Sequence, residues 1–202
     1  MPGEFELIAR YFTYPAPGAV LGVGDDAALV RAERGMDVAI STDMLVCGRH
    51  FFADADPARL GHKTLAVNLS DMAAMGATPR WATLSLALPR VDTAWLRAFM
   101  RGFMRLARQF DTDLVGGDTT RGPLTLCVQI MGVVPTGRAL RRDGARAGDD
   151  VWVSGTLGDA ALAVAAGNRV LRLAPADRKR VQRRLDVPVP RIALGIALRG
   201  IA

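Results

Sequence analysis

A single carboxylate interrupts the most apolar helical stretch of this sequence. Asp56 and Pro57 open it, with Asp56 as cap and Pro57 at the first helical position, where its missing N–H costs nothing. It continues through Leu65-Ala66-Val67-Asn68-Leu69-Ser70-Asp71-Met72-Ala73-Ala74-Met75 and stops at Gly76. Holding Asp71 in such a helix is costly unless positive charge meets it. Sequence neighbours supply no basic partner. A bound cation would.

Strands and further helices surround this stretch. Residues 4–12 read as a short helix with Phe5, Ile8 and Phe12 on one side, broken at Tyr14-Pro15-Ala16-Pro17-Gly18. Strands are expected at Leu29-Val30, Val38-Ala39-Ile40, Trp81 to Leu88, Leu114-Val115, Leu124 to Val134 and Val151-Trp152-Val153. A helix capped by Asp92 or Thr93 carries Trp95, Phe99, Phe103, Leu106 and Phe110 at the three- and four-residue spacing of a core face. Another runs from Ser154-Gly155-Thr156 through Ala166, and two more helical segments flank Val187-Pro188-Val189-Pro190. Strands 114–115 and 124–134 read as antiparallel neighbours. The expected fold class is therefore α+β, a mixed or antiparallel sheet covered by helices. The 124–134 strand is apolar on both faces, more than one helical layer covers, so a homodimer formed through the sheet is expected.

Of 202 residues, 50% are hydrophobic and 23% charged, a globular balance that excludes a disordered chain. No apolar run reaches the roughly 18 residues of a membrane span. The N-terminus carries acids where a signal peptide carries bases. Cys47 and Cys127 fit a reducing compartment, so a cytoplasmic chain without membrane contact is expected. The net charge of +6 resides in the last third: 13 basic against 14 acidic residues through position 136, then 13 against 6. Arg178-Lys179-Arg180 with Arg183 and Arg184 lacks interleaved aromatics and reads as a solvated helix face, not a nucleic-acid surface.

Familiar signatures fail. Gly22-Val23-Gly24-Asp25-Asp26-Ala27 matches a dinucleotide fingerprint in letters, but no convincing strand pattern precedes it, Pro15 and Pro17 crowd it, and two carboxylates would repel the pyrophosphate. Gly61-His62-Lys63-Thr64 lies inside the apolar helix and lacks the upstream glycine turn of a P-loop. With His50 and His62 the only histidines, a histidine metal cluster is excluded. What remains is a set of aspartates at element ends: Asp25-Asp26, Asp43 in Ser41-Thr42-Asp43, Asp71, and Asp118 in Gly116-Gly117-Asp118-Thr119-Thr120. Hard oxygen donors beside hydroxyls suit Mg²⁺ or Ca²⁺, and clustered carboxylates imply metal and phosphate together.

GVGDDAALV, STDMLVCGRHF, KTLAVNLSDMAAMGATP, GGDTTRGPL and RRDGARAGDDVWVSGTLGDAA, in this order, resemble the thiamine-monophosphate kinase family from about Phe5 to the last residue. The resemblance implies Mg²⁺- and ATP-dependent phosphorylation of thiamine monophosphate to thiamine diphosphate by a homodimer. It implies metal ligation by Asp25 (Asp26 stays an open alternative), Ser41, Thr42, Asp43, Asp71 and Asp118. Gly117, Asp118 and Arg142 fall on ATP-contacting positions, and His50 on a position that contacts thiamine monophosphate. Relatives such as aminoimidazole ribonucleotide synthetase share the fold, so an ATP-dependent synthetase is the neighbouring alternative.

Family members continue into a second domain with a further Asp-rich motif and a Gly-Gly-Glu-Asp segment; this sequence stops short of both. The expectation is an ATP/Mg-binding domain over residues 1–136, then a linker and the start of a second α+β domain over 137–202, in a fragment or truncated product with negligible turnover of its own. A non-catalytic nucleotide-binding or dimerisation fragment is the rival reading.

Overall fold

The computed structural model describes residues 3–201, apart from the side chains of Glu4 and Phe5, so the expected placement of Phe5 lies outside the described residues. The elements are α1 (Glu4–Leu7, continued by a π-helical turn Ile8–Phe12), β1 (Ala19–Leu21), β2 (Leu29–Val30), β3 (Met36–Val46), α2 (Pro57–Ala74), β4 (Thr78–Leu88), α3 (Thr93–Gln109), β5 (Asp113–Arg121), β6 (Thr125–Pro135), α4 (Asp159–Gly167), α5 (Pro175–Asp186) and α6 (Ile192–Ala197). The class is α+β. No described helix is long and apolar enough to cross a membrane.

One four-stranded sheet, in the order β3-β6-β4-β5, carries the fold. β6 runs antiparallel to both β3 and β4, whereas β4 and β5 are parallel and joined across α3. The expectation that strands 114–115 and 124–134 are neighbours is corrected: β6 passes over the end of β4, where the Gly122 N–H donates to the Leu88 carbonyl, and inserts between β3 and β4. The reason is burial. Leu126, Val128 and Ile130 are fully buried, and such a strand belongs in the sheet interior. β5 carries Gly-Gly-Asp-Thr-Thr and takes an edge.

Other expectations shift too. Leu29-Val30 pairs with β1 in a separate two-stranded sheet. The 38–40 strand extends through Ser41-Thr42-Asp43, and the 114–115 strand through Gly117-Asp118, so these motifs lie within strands rather than just past them. Val151-Trp152-Val153 forms no strand: Val151 is 92% and Trp152 88% exposed, and no described strand runs beside them. A strand without a partner has nowhere to send its backbone hydrogen bonds.

α2 is buried almost all round, between the sheet and helices α3, α5 and α6. Asp56 Oδ1 accepts the Arg59 N–H at 2.8 Å, and Gly76, at φ +63°, turns the chain out. α3 packs so closely on α2 that a Cβ on Gly61 would overlap the Phe99 carbonyl oxygen, and one on Gly102 that of Ala58. Phe99 and Phe103 fill the space between helix and sheet, with Trp95 stacked on Phe99 at 5.0 Å. Ile192 of α6 joins the same core, so the last helix packs on the first half of the chain.

The opposite sheet face has a thinner cover. Segment 16–28 shields Trp81, Val115 and Val133. Beyond it Val38 is 45%, Ile40 61% and Met44 56% exposed on one edge strand.

Candidate functional site

The sequence-derived aspartates fall into two groups at opposite edges of the sheet. Asp43 lies on β3 and Asp118 on β5, with β6 and β4 between them. Three strand spacings separate those edges by ~14 Å, too far for one ion to touch both. Among the described residues, no three His, Cys, Asp or Glu side chains converge as a metal site.

The first group is a polar seam between α2 and β3. Ser41 and Asp43 alternate onto the helix-covered face, followed by the buried Leu45. The Ser41 hydroxyl donates to Asp71 Oδ2 at 2.5 Å, and the Asp43 main-chain N–H donates to Asn68 Oδ1 at 3.2 Å. Thr42 lies between them, so its side chain points to the other face, beside Gln129. Among the described residues Asp71 therefore meets a hydroxyl and a second carboxylate. Partial burial lifts the Asp43 carboxyl above its usual range, the charge of Asp71 adds to the lift, and His50 opposes it. A divalent cation would relieve both causes. Two carboxylates with a neighbouring hydroxyl fit Mg²⁺, which keeps several waters and uses few protein ligands.

His50 closes one end of the seam. The Val46 N–H donates to its Nδ1 at 2.9 Å; an N–H only donates, so the ring proton sits on Nε2. Lys63 of α2 donates to the His50 carbonyl at 2.8 Å. Burial pushes the Lys63 ammonium below its ordinary range, and Asp186 pulls it back.

The second group lines a cleft of about 540 Å³ between the N-terminal segment and β5. Asp25, Asp26, Gly117 and Asp118 border it, with Ile8, Phe12 and Leu114 as apolar walls. The Asp26 N–H turns back onto Asp25 Oδ1 at 2.8 Å. Gly117, at φ +155°, lies so close to β4 that a Cβ there would overlap the Leu84 carbonyl oxygen. Arg142 lies on an exposed 3₁₀ turn, Arg142–Gly144, whose ion pair is between Arg141 and Asp143. No hydrogen bond or ion pair among the described residues ties Arg142 to either group.

Sequence reasoning misses Asn68 as a site residue, although its motif is prominent. It stands three positions before Asp71, which puts both on one helix face, and that spacing is the available signal.

The family model for "AIR synthase related protein, N-terminal domain" matches residues 24–134, more than half of the chain. A thiamine-monophosphate kinase of Escherichia coli K12 is 50% identical over 204 residues, covering 99% of this chain and 63% of that protein. The crystal structure of a thiamine-monophosphate kinase from Stenotrophomonas maltophilia superposes with a TM-score of 0.86 at 47% identity, over 98% of this chain and 65% of that one. A structure described as AaThiL complexed with AMPPCP and TMP superposes with a TM-score of 0.76 at 30% identity, over 98% of this chain and 62% of that one. The chain thus spans a little under two thirds of the length of these relatives. With the α2–β3 seam and all of the four-stranded sheet but Pro135 inside the matched domain, the chain belongs to the AIR synthase related protein family and is similar over nearly all its length to thiamine-monophosphate kinases.

Proposed function

We propose that this chain is the nucleotide- and Mg²⁺-binding part of a cytoplasmic kinase that transfers the γ-phosphoryl group of ATP to thiamine monophosphate, giving thiamine diphosphate. The observation that carries this reading is the meeting of Asp43, Asp71 and Ser41 across the seam, with His50 at its end. The similar relatives are named for the same reaction.

Mg²⁺ supplies charge neutralisation where two polyanions must approach. Asp43 and Asp71 would hold it, with the Ser41 hydroxyl fixing one oxygen of Asp71. Thr42, whose side chain faces the other side of the sheet, would contribute to the site only through its main chain. Asp118, with Asp25 or Asp26, would hold further Mg²⁺ for the triphosphate at the other edge. Gly117 lets β5 lie close against β4 and so places Asp118 at the cleft, and Arg142 would contact the nucleotide, as the resemblance implies. His50 offers its Nε2–H to the acceptor phosphate. That phosphate, with a second pKa near 6, is already largely ionised at neutral pH, so no strong general base is needed. Positioning and neutralisation then carry an in-line transfer.

The exposed apolar edge of the sheet, Val38, Ile40 and Met44, supports a homodimer formed through that face. A second reading is binding without turnover. The chain spans 63% of the E. coli relative. Titration with Mg·ATP, followed by γ-labelled ATP and thiamine monophosphate, separates the readings. Saturable Mg²⁺-dependent ATP binding supports the proposal, and labelled thiamine diphosphate supports the complete reaction. Absence of any Mg²⁺-dependent ATP binding would sink it.

A further inference from the structure

We infer that Asn68 is a positioning residue that sets the cation affinity of the Asp43–Asp71 pair by gripping the backbone of Asp43; this rests on the metal reading above. Asn68 is wholly buried in α2. Its side chain is used at both ends: Nδ2 donates to the Thr64 carbonyl of its own helix at 3.0 Å, and Oδ1 accepts the Asp43 N–H at 3.2 Å. The first bond fixes the amide on the helix. The second fixes the strand to the amide.

β3 is an edge strand, held from one side only by β6. The Cys47 N–H donates to the Leu124 carbonyl and the Thr136 N–H to the Gly35 carbonyl, so the odd-numbered residues of β3 face β6 and the Asp43 N–H points toward Val128. Asn68 shares that N–H from the helix side and so ties this point of the strand to α2. One helical turn further on, Asp71 takes the Ser41 hydroxyl. Two rungs, 43 to 68 and 41 to 71, thus lock strand to helix on either side of the carboxylate pair. A buried leucine would fill the same space in α2 without the cost of a buried amide. What it would lose is the placement of the Asp43 backbone, and with it the separation of the two carboxylates. Groups that orient metal ligands are commonly worth about 10–100-fold in affinity.

The test uses the whole chain, with Mn²⁺ alone as the probe, read by electron paramagnetic resonance. Hydrogen exchange at the Asp43 amide is followed in parallel without metal. Asn68→Ala and the milder Asn68→Ser are compared with Leu65→Ala, a core truncation on the same helix that removes no hydrogen bond to β3. The expected result is a Mn²⁺ dissociation constant raised about tenfold in the Asn68 variants, with faster exchange at Asp43. Leu65→Ala should lose stability yet hold Mn²⁺ like the parent. Affinity within twofold of the parent in both Asn68 variants would overturn the inference. So would equal weakening in Leu65→Ala, because the effect would then be general loosening. A parent chain that binds no Mn²⁺ would instead bring down the metal reading, and this inference with it.

Discussion

Ser41 and Asp71, thirty residues apart, share a hydrogen bond of 2.5 Å in which the hydroxyl occupies Asp71 Oδ2. The other oxygen of Asp71 takes no hydrogen bond among the described residues. A strand hydroxyl therefore orients a helix carboxylate, although neither residue is informative alone. Replacing Asp71 with Asn is expected to abolish Mg²⁺-dependent ATP binding while leaving the far-ultraviolet circular dichroism of the parent. Calorimetric titration checks this, and parent-like binding would remove Asp71 from the metal site.

Asp43 makes a prediction of opposite sign for stability. Its carboxyl is raised in the folded chain by burial and by Asp71. Between the unfolded value and this raised one, the folded state binds more protons, so stability falls as pH rises through that window. The penalty persists at neutral pH. Metal-free Asp43→Asn should therefore melt a few degrees above the parent at pH 7, with the gap closing as pH falls toward the ordinary carboxylate range. Added Mg²⁺ should raise the melting temperature of the parent but not of the variant. Differential scanning fluorimetry at several pH values reads both effects.

His62 acts in the acid direction. It is buried on α2, and its Nε2–H donates to the Pro188 carbonyl at 2.8 Å, tying the 187–190 segment to the helix. Burial holds its proton affinity below the usual histidine range, the Pro188 bond opposes this, and Arg105 adds to it. The unfolded chain takes a proton near pH 6.5 that the folded chain resists, so stability is lost as pH falls below about 6.5. The loss is at most ~1.4 kcal/mol per pH unit. His62→Gln keeps a donor for Pro188 and removes the titration. Urea denaturation from pH 7 to 5 should show a shallower decline in the variant; parallel curves would refute the assignment.

Gly117 tests the geometry of the second cleft. Its φ of +155° and the Leu84 carbonyl oxygen, which stands where a Cβ would go, leave no place for a side chain. Gly117→Ala should force β5 away from β4 and cost roughly 2–3 kcal/mol. ATP binding should weaken as well, since Asp118 moves with the strand. A variant as stable as the parent would show that this edge yields easily.

The uncovered sheet face predicts assembly. Ile40→Lys with Met44→Lys places charge at two exposed apolar positions of β3 without touching the buried core. The parent is expected to sediment as a dimer at micromolar concentration and the double variant as a monomer with unchanged melting. A monomeric parent would dismiss the interface.

Local signals in the sequence settled the local structure. Asp56 with Pro57 started α2, Gly76 ended it, and the spacing of Phe99, Phe103 and Leu106 set the buried face of α3, because capping and helical periodicity depend on residues within one or two turns. The aspartates, too, stood out in the sequence as candidate cation ligands from their chemistry. Tertiary structure decided what periodicity does not encode. Only the sheet order put Asp43 and Asp118 at opposite edges, because β6 is apolar enough to displace β5 from the middle. Val151-Trp152-Val153 has the pattern of a strand and is none here, because a ladder needs a neighbour and the described chain provides none beside it. Asn68 is paired for the same reason: its buried Oδ1 is satisfied because a strand distant in sequence offers it an N–H.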